Sequence, residues 1–199
     1  MQVVIVTDIF GRTPAIDLMV DCLERQSVEV HSLDPYGGIK KNFTDEAVAY
    51  TEFVSLCGHD HYFELVTQKV SVLKEPILFI GFSAGATAIW RCLGNLFSHK
   101  VQHFIGFYPG QIRNYLGLTP LCPSTLIFPA KEAHFSVNEI METLKCKELV
   151  HCHQVSGLHG FMNEQSGNYS EDIADEYYGL LENVELSSHQ DLFLKHLCG

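Results

Sequence analysis

The sequence predicts an α/β fold, a mainly parallel sheet of about six strands with helices on both faces, from three features. Short apolar runs alternate with stretches of helical periodicity along the chain. Hydrophobic residues make up 46% and charged residues 19%, the proportions of an ordinary globular protein. The 199 residues, with no linker, internal repeat or low-complexity stretch, suit one domain over 1–199 that can bury a core without staples.

The first apolar run, Val3–Val6, predicts the first strand. It is too short to span a membrane, and no basic segment precedes it and no small-residue cleavage site follows it. Thr13 then caps a helix with Pro14 at its first position and Ile16, Met19, Val20 and Leu23 at helical spacing. Val28–Leu33 predicts the second strand, and Thr44–Ser71 is helical, in one piece or broken near Gly58. Ile77–Ile80 is the third strand and Ala84–Leu96 the helix behind it. His103–Phe107 and Thr125–Phe128 are the fourth and fifth strands, Val137–Leu144 a helix, and Leu149–Gln154 the sixth strand. A last helix runs from Glu171 onward, and the acidic stretch Glu164–Glu185 reads as its solvated face. Pro35–Gly38 and Tyr108–Gly110 fall where strand-to-helix loops belong.

The net charge of −11, with only 13 scattered Lys and Arg, works against a nucleic-acid partner. Seven cysteines, an odd number without a C-x-x-C pair, read as reduced thiols in a cytoplasmic protein. Cys92 and Cys122 read as small core hydrophobes, and Trp90 as packing. His59-Asp60-His61 and His151-Cys152-His153 look like metal ligands, but neither has the second pair that a four-coordinate site needs.

The chemistry centres on Gly81-Phe82-Ser83-Ala84-Gly85, which joins the third strand to an Ala-rich helical start. G-x-S-x-G at a strand-to-helix turn is the nucleophile elbow of α/β-hydrolases. A serine on so tight a turn requires positions two before and two after it to lack side chains. The turn raises the hydroxyl above the sheet, beside the N–H groups that open a helix. The alternative, an ordinary Gly-Ser loop, does not account for the strand before it and the alanines after it.

In that fold a carboxylate and then a histidine follow the serine. His159, in Ser156-Gly157-Leu158-His159-Gly160-Phe161, lies on the loop after the last predicted strand and is the expected base. Glu132 is the carboxylate on the loop after the fifth strand, where it would orient the imidazole. Glu139 stays open as the other candidate acid.

These residues together resemble the dienelactone hydrolase family. The matching pieces are Asp8-Ile9-Phe10-Gly11, the elbow, Phe107-Tyr108-Pro109-Gly110, the Glu132 loop and His159-Gly160-Phe161. The resemblance implies a compact α/β-hydrolase fold lacking the first strands of the full fold. It implies an oxyanion hole from the N–H groups of Ile9 and Ala84, and a substrate pocket with Asp8, Phe10, Phe82, Tyr108 and Phe161. Asp8 would occupy the position of a family glutamate that contacts the nucleophile; equally, it is a loop-start carboxylate ordering the backbone. Ser83 replaces the cysteine of well-known members, and Glu164 stands where they carry a carboxylate-binding arginine.

The expected function is therefore hydrolysis of a small carboxylic ester, lactones and thioesters included, without cofactor or metal. The alternative is a silent hydrolase-like scaffold that binds a small molecule or a partner. No membrane partner is expected, and a homo-oligomer is left open. Neutral esters are expected to be preferred over carboxylated ones, with Arg12 and Arg113 the loop arginines that could reverse this.

Overall fold

The computed structural model describes residues 2–74, 76–94 and 100–182. Six strands form one sheet: β1 (Gln2–Val6), β2 (Glu29–Leu33), β3 (Ile77–Phe82), β4 (Val101–Phe107), β5 (Ser124–Phe128) and β6 (Val150–Gln154). Their order is β2-β1-β3-β4-β5-β6 and every pairing is parallel. Parallel neighbours need crossovers, which the helices supply: α1 (Pro14–Glu24), α2 (Glu46–Leu56), α3 (Gly58–Val72), α4 (Ala84–Leu93), α5 (Val137–Lys145) and α6 (Glu171–Glu182).

Strand alternation divides the core in two. Val3 and Ile5 of β1, with Leu78, Ile80 and Phe82 of β3, join the buried side chains of α1 and α6 on one face. Val4, Val6, Ile77 and Phe79 join α2, α3, α4 and α5 on the other. Both faces are covered, so the inner strands are apolar on both sides.

The first helix starts as its sequence predicts: Thr13 caps it, its hydroxyl accepting from the Ile16 N–H, and Pro14 opens it. The long helical stretch is broken at Cys57, ahead of Gly58 at φ +70°. Several bounds differ from expectation: β3 runs on to Phe82, β4 begins at Val101 and Leu149 lies outside β6. Val28 lies outside β2, and Gly110–Asn114 forms a turn of 3-10 helix where only a loop was expected. The chain reverses there because Pro109 makes an inverse γ-turn, with the Gly110 N–H donating to the Tyr108 carbonyl at 2.8 Å. The expected end of the fourth helix at Leu96, the acidic stretch beyond residue 182 and Cys198 lie outside the described residues.

Strand order reverses at β1, since the chain goes from β1 outward to β2 and then back to β3 on the other side. Ligands of open parallel sheets bind beyond the carboxyl ends of the strands at such a point.

Candidate active site

Ser83 sits between β3 and α4 with φ +46° and ψ −110°, a conformation that a non-glycine residue adopts only under constraint. The constraint is visible on both sides. The Ser83 N–H donates to the Phe107 carbonyl at 2.9 Å, and its own carbonyl accepts from Thr87 at 3.0 Å as α4 begins. A Cβ on Gly85 would lie 2.3 Å from the Thr7 carbonyl oxygen and 2.4 Å from that of Val6. A Cβ on Gly81 would lie 2.7 Å from the Ala86 Cα. Both glycines are thus required by backbone contacts.

The Ser83 hydroxyl points at His159, with Oγ 2.8 Å from Nε2. The other ring nitrogen, Nδ1, lies 2.6 Å from Glu132 Oε1. A carboxylate at Nδ1 fixes the tautomer: Nδ1 carries the proton and Nε2 accepts from the serine. His159 comes from the loop after β6, where its carbonyl accepts from Asn168 Nδ2 at 3.0 Å. Gly160 follows at φ +89°, packed where a Cβ would strike Ser166 Oγ. Tyr108 lies against the imidazole, ring centroids 5.1 Å apart. Glu139, by contrast, sits exposed in the first turn of α5. Of the two candidate acids, only Glu132 meets His159.

A cavity of about 750 Å³ opens over these groups. Ile9, Ser83, Ala84, Glu132 and His159 line it, together with Glu46, Tyr50, His59, Gln111, Arg113 and Phe135. Five residues expected in its wall are not there. Phe10, Phe82, Tyr108 and Phe161 are buried in the core, and Asp8 is buried behind Ile9. The reason is packing: Phe82 stacks on Phe107, and Tyr108 and Phe161 meet edge to face. These rings support the site from beneath. The wall comes instead from α2, the start of α3, the 3-10 turn and the loop after β5, where Glu46, Tyr50, Gln111 and Phe135 carry no local motif that marks them as site residues.

The Asp8 carboxylate makes no hydrogen bond to Ser83. It accepts from the Phe10 N–H at 2.9 Å and from Asn163 Nδ2 at 2.7 Å, which is the backbone-ordering role. Burial raises its pKa from 3.8 to about 6, although these two donors and the charge of His159 oppose the rise. Tyr36 fixes the next residue, donating to the Ile9 carbonyl at 2.6 Å.

Of the two loop arginines, Arg113 reaches the cavity and Arg12 does not. Arg12 pairs with Asp17 on α1. Arg113 lies over the Phe135 ring at 5.1 Å and donates to the Gly110 carbonyl at 2.5 Å. Glu164 is exposed and outside the cavity wall. His59 lies in the wall against Phe53, burial holding its pKa below the usual imidazole range. No group of three or more His, Cys, Asp or Glu among the described residues is placed to hold a metal. No helix among them is long and apolar enough to cross a membrane.

No family model matches the chain. A relative does: YczH of Bacillus subtilis strain 168, an uncharacterized protein, is 32% identical over 145 residues, 70% of this chain and 69% of YczH. The chain belongs to the YczH family. Solved structures similar to this YczH relative share its fold at low identity. P91, a dienelactone hydrolase-like promiscuous phosphotriesterase from metagenomic libraries, superposes with a TM-score of 0.68 at 13% identity, covering 92% of this chain and 84% of P91. A predicted CIB-like hydrolase of Thermoplasma acidophilum gives 0.61 at 12% identity, covering 92% and 87%. A Xanthomonas campestris protein assigned to the α/β superfamily of hydrolases by prediction gives 0.59 at 9%, covering 91% and 96%. The six-stranded parallel sheet of this YczH-family chain is an α/β-hydrolase fold.

Proposed function

We propose that the protein is a serine hydrolase of carboxylic esters, with Ser83 as nucleophile, His159 as general base and acid, and Glu132 as the residue that orients His159. The observation that carries this reading is the continuous line Ser83 Oγ–His159 Nε2, His159 Nδ1–Glu132 Oε1 on a strained elbow. Strain of this kind persists only where surrounding structure enforces it.

As Ser83 Oγ attacks the acyl carbon, its proton passes to Nε2, and the carbonyl π pair moves onto oxygen. Glu132 faces the imidazolium that results and stabilises it. The oxyanion is met by the N–H of Ala84, one of the orphan donors opening α4, and by the N–H of Ile9. Collapse of the intermediate expels the alcohol, which takes the proton back from Nε2. Water then repeats the sequence on the acyl-serine, releasing the acid and restoring Ser83. The groups act from the ends of β1, β3, β5 and β6, so the sheet is the rigid frame that aligns them. A kinship with dienelactone hydrolases is supported by the likeness of fold to P91 and by the segments Asp8-Ile9-Phe10-Gly11 and His159-Gly160-Phe161.

An uncharged fluorophosphonate tests the reading directly. The wild-type protein should take up one label per chain on Ser83, and Ser83→Ala none. A folded wild-type protein that stays unlabelled and turns over no activated ester would leave a binding scaffold as the better account.

A further inference from the structure

One buried contact joins the two loops that flank the nucleophile. Asp8 follows β1 and Asn163 follows His159, each 6% exposed, and they are 155 residues apart in sequence. All four side-chain polar atoms of the pair have a partner. Asp8 Oδ1 accepts from the Phe10 N–H and Oδ2 from Asn163 Nδ2. Asn163 Oδ1 accepts in turn from the Gln165 N–H at 2.9 Å, and the Asn163 N–H donates to the Gly160 carbonyl at 2.9 Å.

The position of this contact is informative. Phe10 lies on the far side of Ile9, so the carboxylate spans Ile9, a residue that lines the cavity. Gly160 adjoins His159. The carboxylate touches neither Ser83 nor substrate space, yet burying an ionisable group disfavours folding unless its partners compensate. Its raised pKa records that penalty. A neutral pair would tie two loops without it.

We propose that Asp8 and Asn163 are positioning residues, whose hydrogen bond holds the Ile9 peptide and the His159 loop in one fixed relation across the cavity. The proposal rests on the reading of Ser83 as nucleophile. It needs neither side chain to touch substrate: a base aligned on the serine and donors aligned on the oxyanion must agree to within a fraction of an ångström.

An exchange of the two side chains tests it. In Asp8→Asn the amide faces Asn163, and two NH₂ groups oppose each other. In Asn163→Asp two carboxylates oppose each other. In the double exchange the residue at 8 accepts from Phe10 and donates to a carboxylate at 163, which still accepts from Gln165, so the bond is restored with its polarity reversed. Each single exchange should lower kcat for a neutral activated ester roughly tenfold or more with little change in KM, well below its Tm, and the double exchange should recover to within about threefold of wild type. Asn163→Ala, which adds no charge, should show the same loss of kcat and faster amide hydrogen exchange at residues 9–11. Single variants that lose Tm but keep wild-type kcat, or a double exchange no better than the worse single, would overturn the positioning role. Unchanged amide exchange in Asn163→Ala would overturn it as well, even in a protein without esterase activity. Loss of labelling in the wild type would instead strike the Ser83 reading itself.

Discussion

The burial of Asp8 makes a prediction about stability whose sign is unusual for a carboxylate. Its pKa is raised by burial from 3.8 to about 6 in the folded protein, so the folded state holds that proton more tightly than the unfolded chain does. The stability it contributes is fully present below about pH 4 and is lost as pH rises through about 6. At ~1.4 kcal/mol for each tenfold change in proton affinity, the whole effect is about 3 kcal/mol. Asp8→Asn keeps the shape and removes the titration. Urea unfolding of both proteins from pH 7 to pH 4 gives two stability profiles, each dominated by the many other carboxylates. Those groups are shared, so the difference between the profiles isolates residue 8. The difference should move in favour of the wild type by about 2–3 kcal/mol as pH falls across this range. A flat difference, or one that moves in favour of Asp8→Asn, would mean that Asp8 is well solvated and that the reasoning from burial is wrong.

Four further outcomes are expected. Ser83→Ala and His159→Ala should each lower turnover of an activated ester by roughly three orders of magnitude or more, and the double variant should be little worse, because the two act as a unit; losses that multiply would separate them. Glu132→Gln should reduce kcat at least tenfold with the fold intact, as judged by circular dichroism, whereas Glu139→Gln should match wild type; the reverse pattern would move the acid to Glu139. Gly85→Ala should fail to fold or lose several kcal/mol, because its Cβ meets two backbone carbonyls that cannot step aside; a Tm within a few degrees of wild type would contradict the contact. Arg113→Ala should lower kcat/KM for an ester with a terminal carboxylate roughly tenfold more than for a neutral ester with the same leaving group, at moderate salt; equal losses would show that the guanidinium does not meet substrate charge.

The fold was legible because parallel strands buried on both faces write themselves as unbroken apolar runs, as Ile77–Ile80 does, and because Thr13-Pro14 is a local helix start. The elbow was legible for a related reason: its glycines answer to contacts within and beside one turn. Glu132 needed more, since loop order alone left Glu139 open and only the distance to His159 separates them. The pocket wall was the least legible part. Phe10, Phe82, Tyr108 and Phe161 flank the site residues in sequence, but strand and turn geometry sends their rings into the core. Tyr50 and His59 enter from helices that cross over the sheet, a placement no periodicity records. Asn163 gave no sign at all, because its partner lies 155 residues away.

The all-parallel order has a temporal consequence. A parallel neighbour is never the next piece of chain, and Ser83 and His159 are separated by 76 residues that include β4, β5 and β6. During synthesis the elbow is complete, and the serine raised on its turn, well before the segment that carries the imidazole has been made. Until β6 takes its place at the edge of the sheet, the hydroxyl has no group to receive its proton. A growing chain, or one whose β6 has come away, therefore presents an alcohol of ordinary reactivity, and on the proposed reading Ser83 gains its base only when β6 is in place.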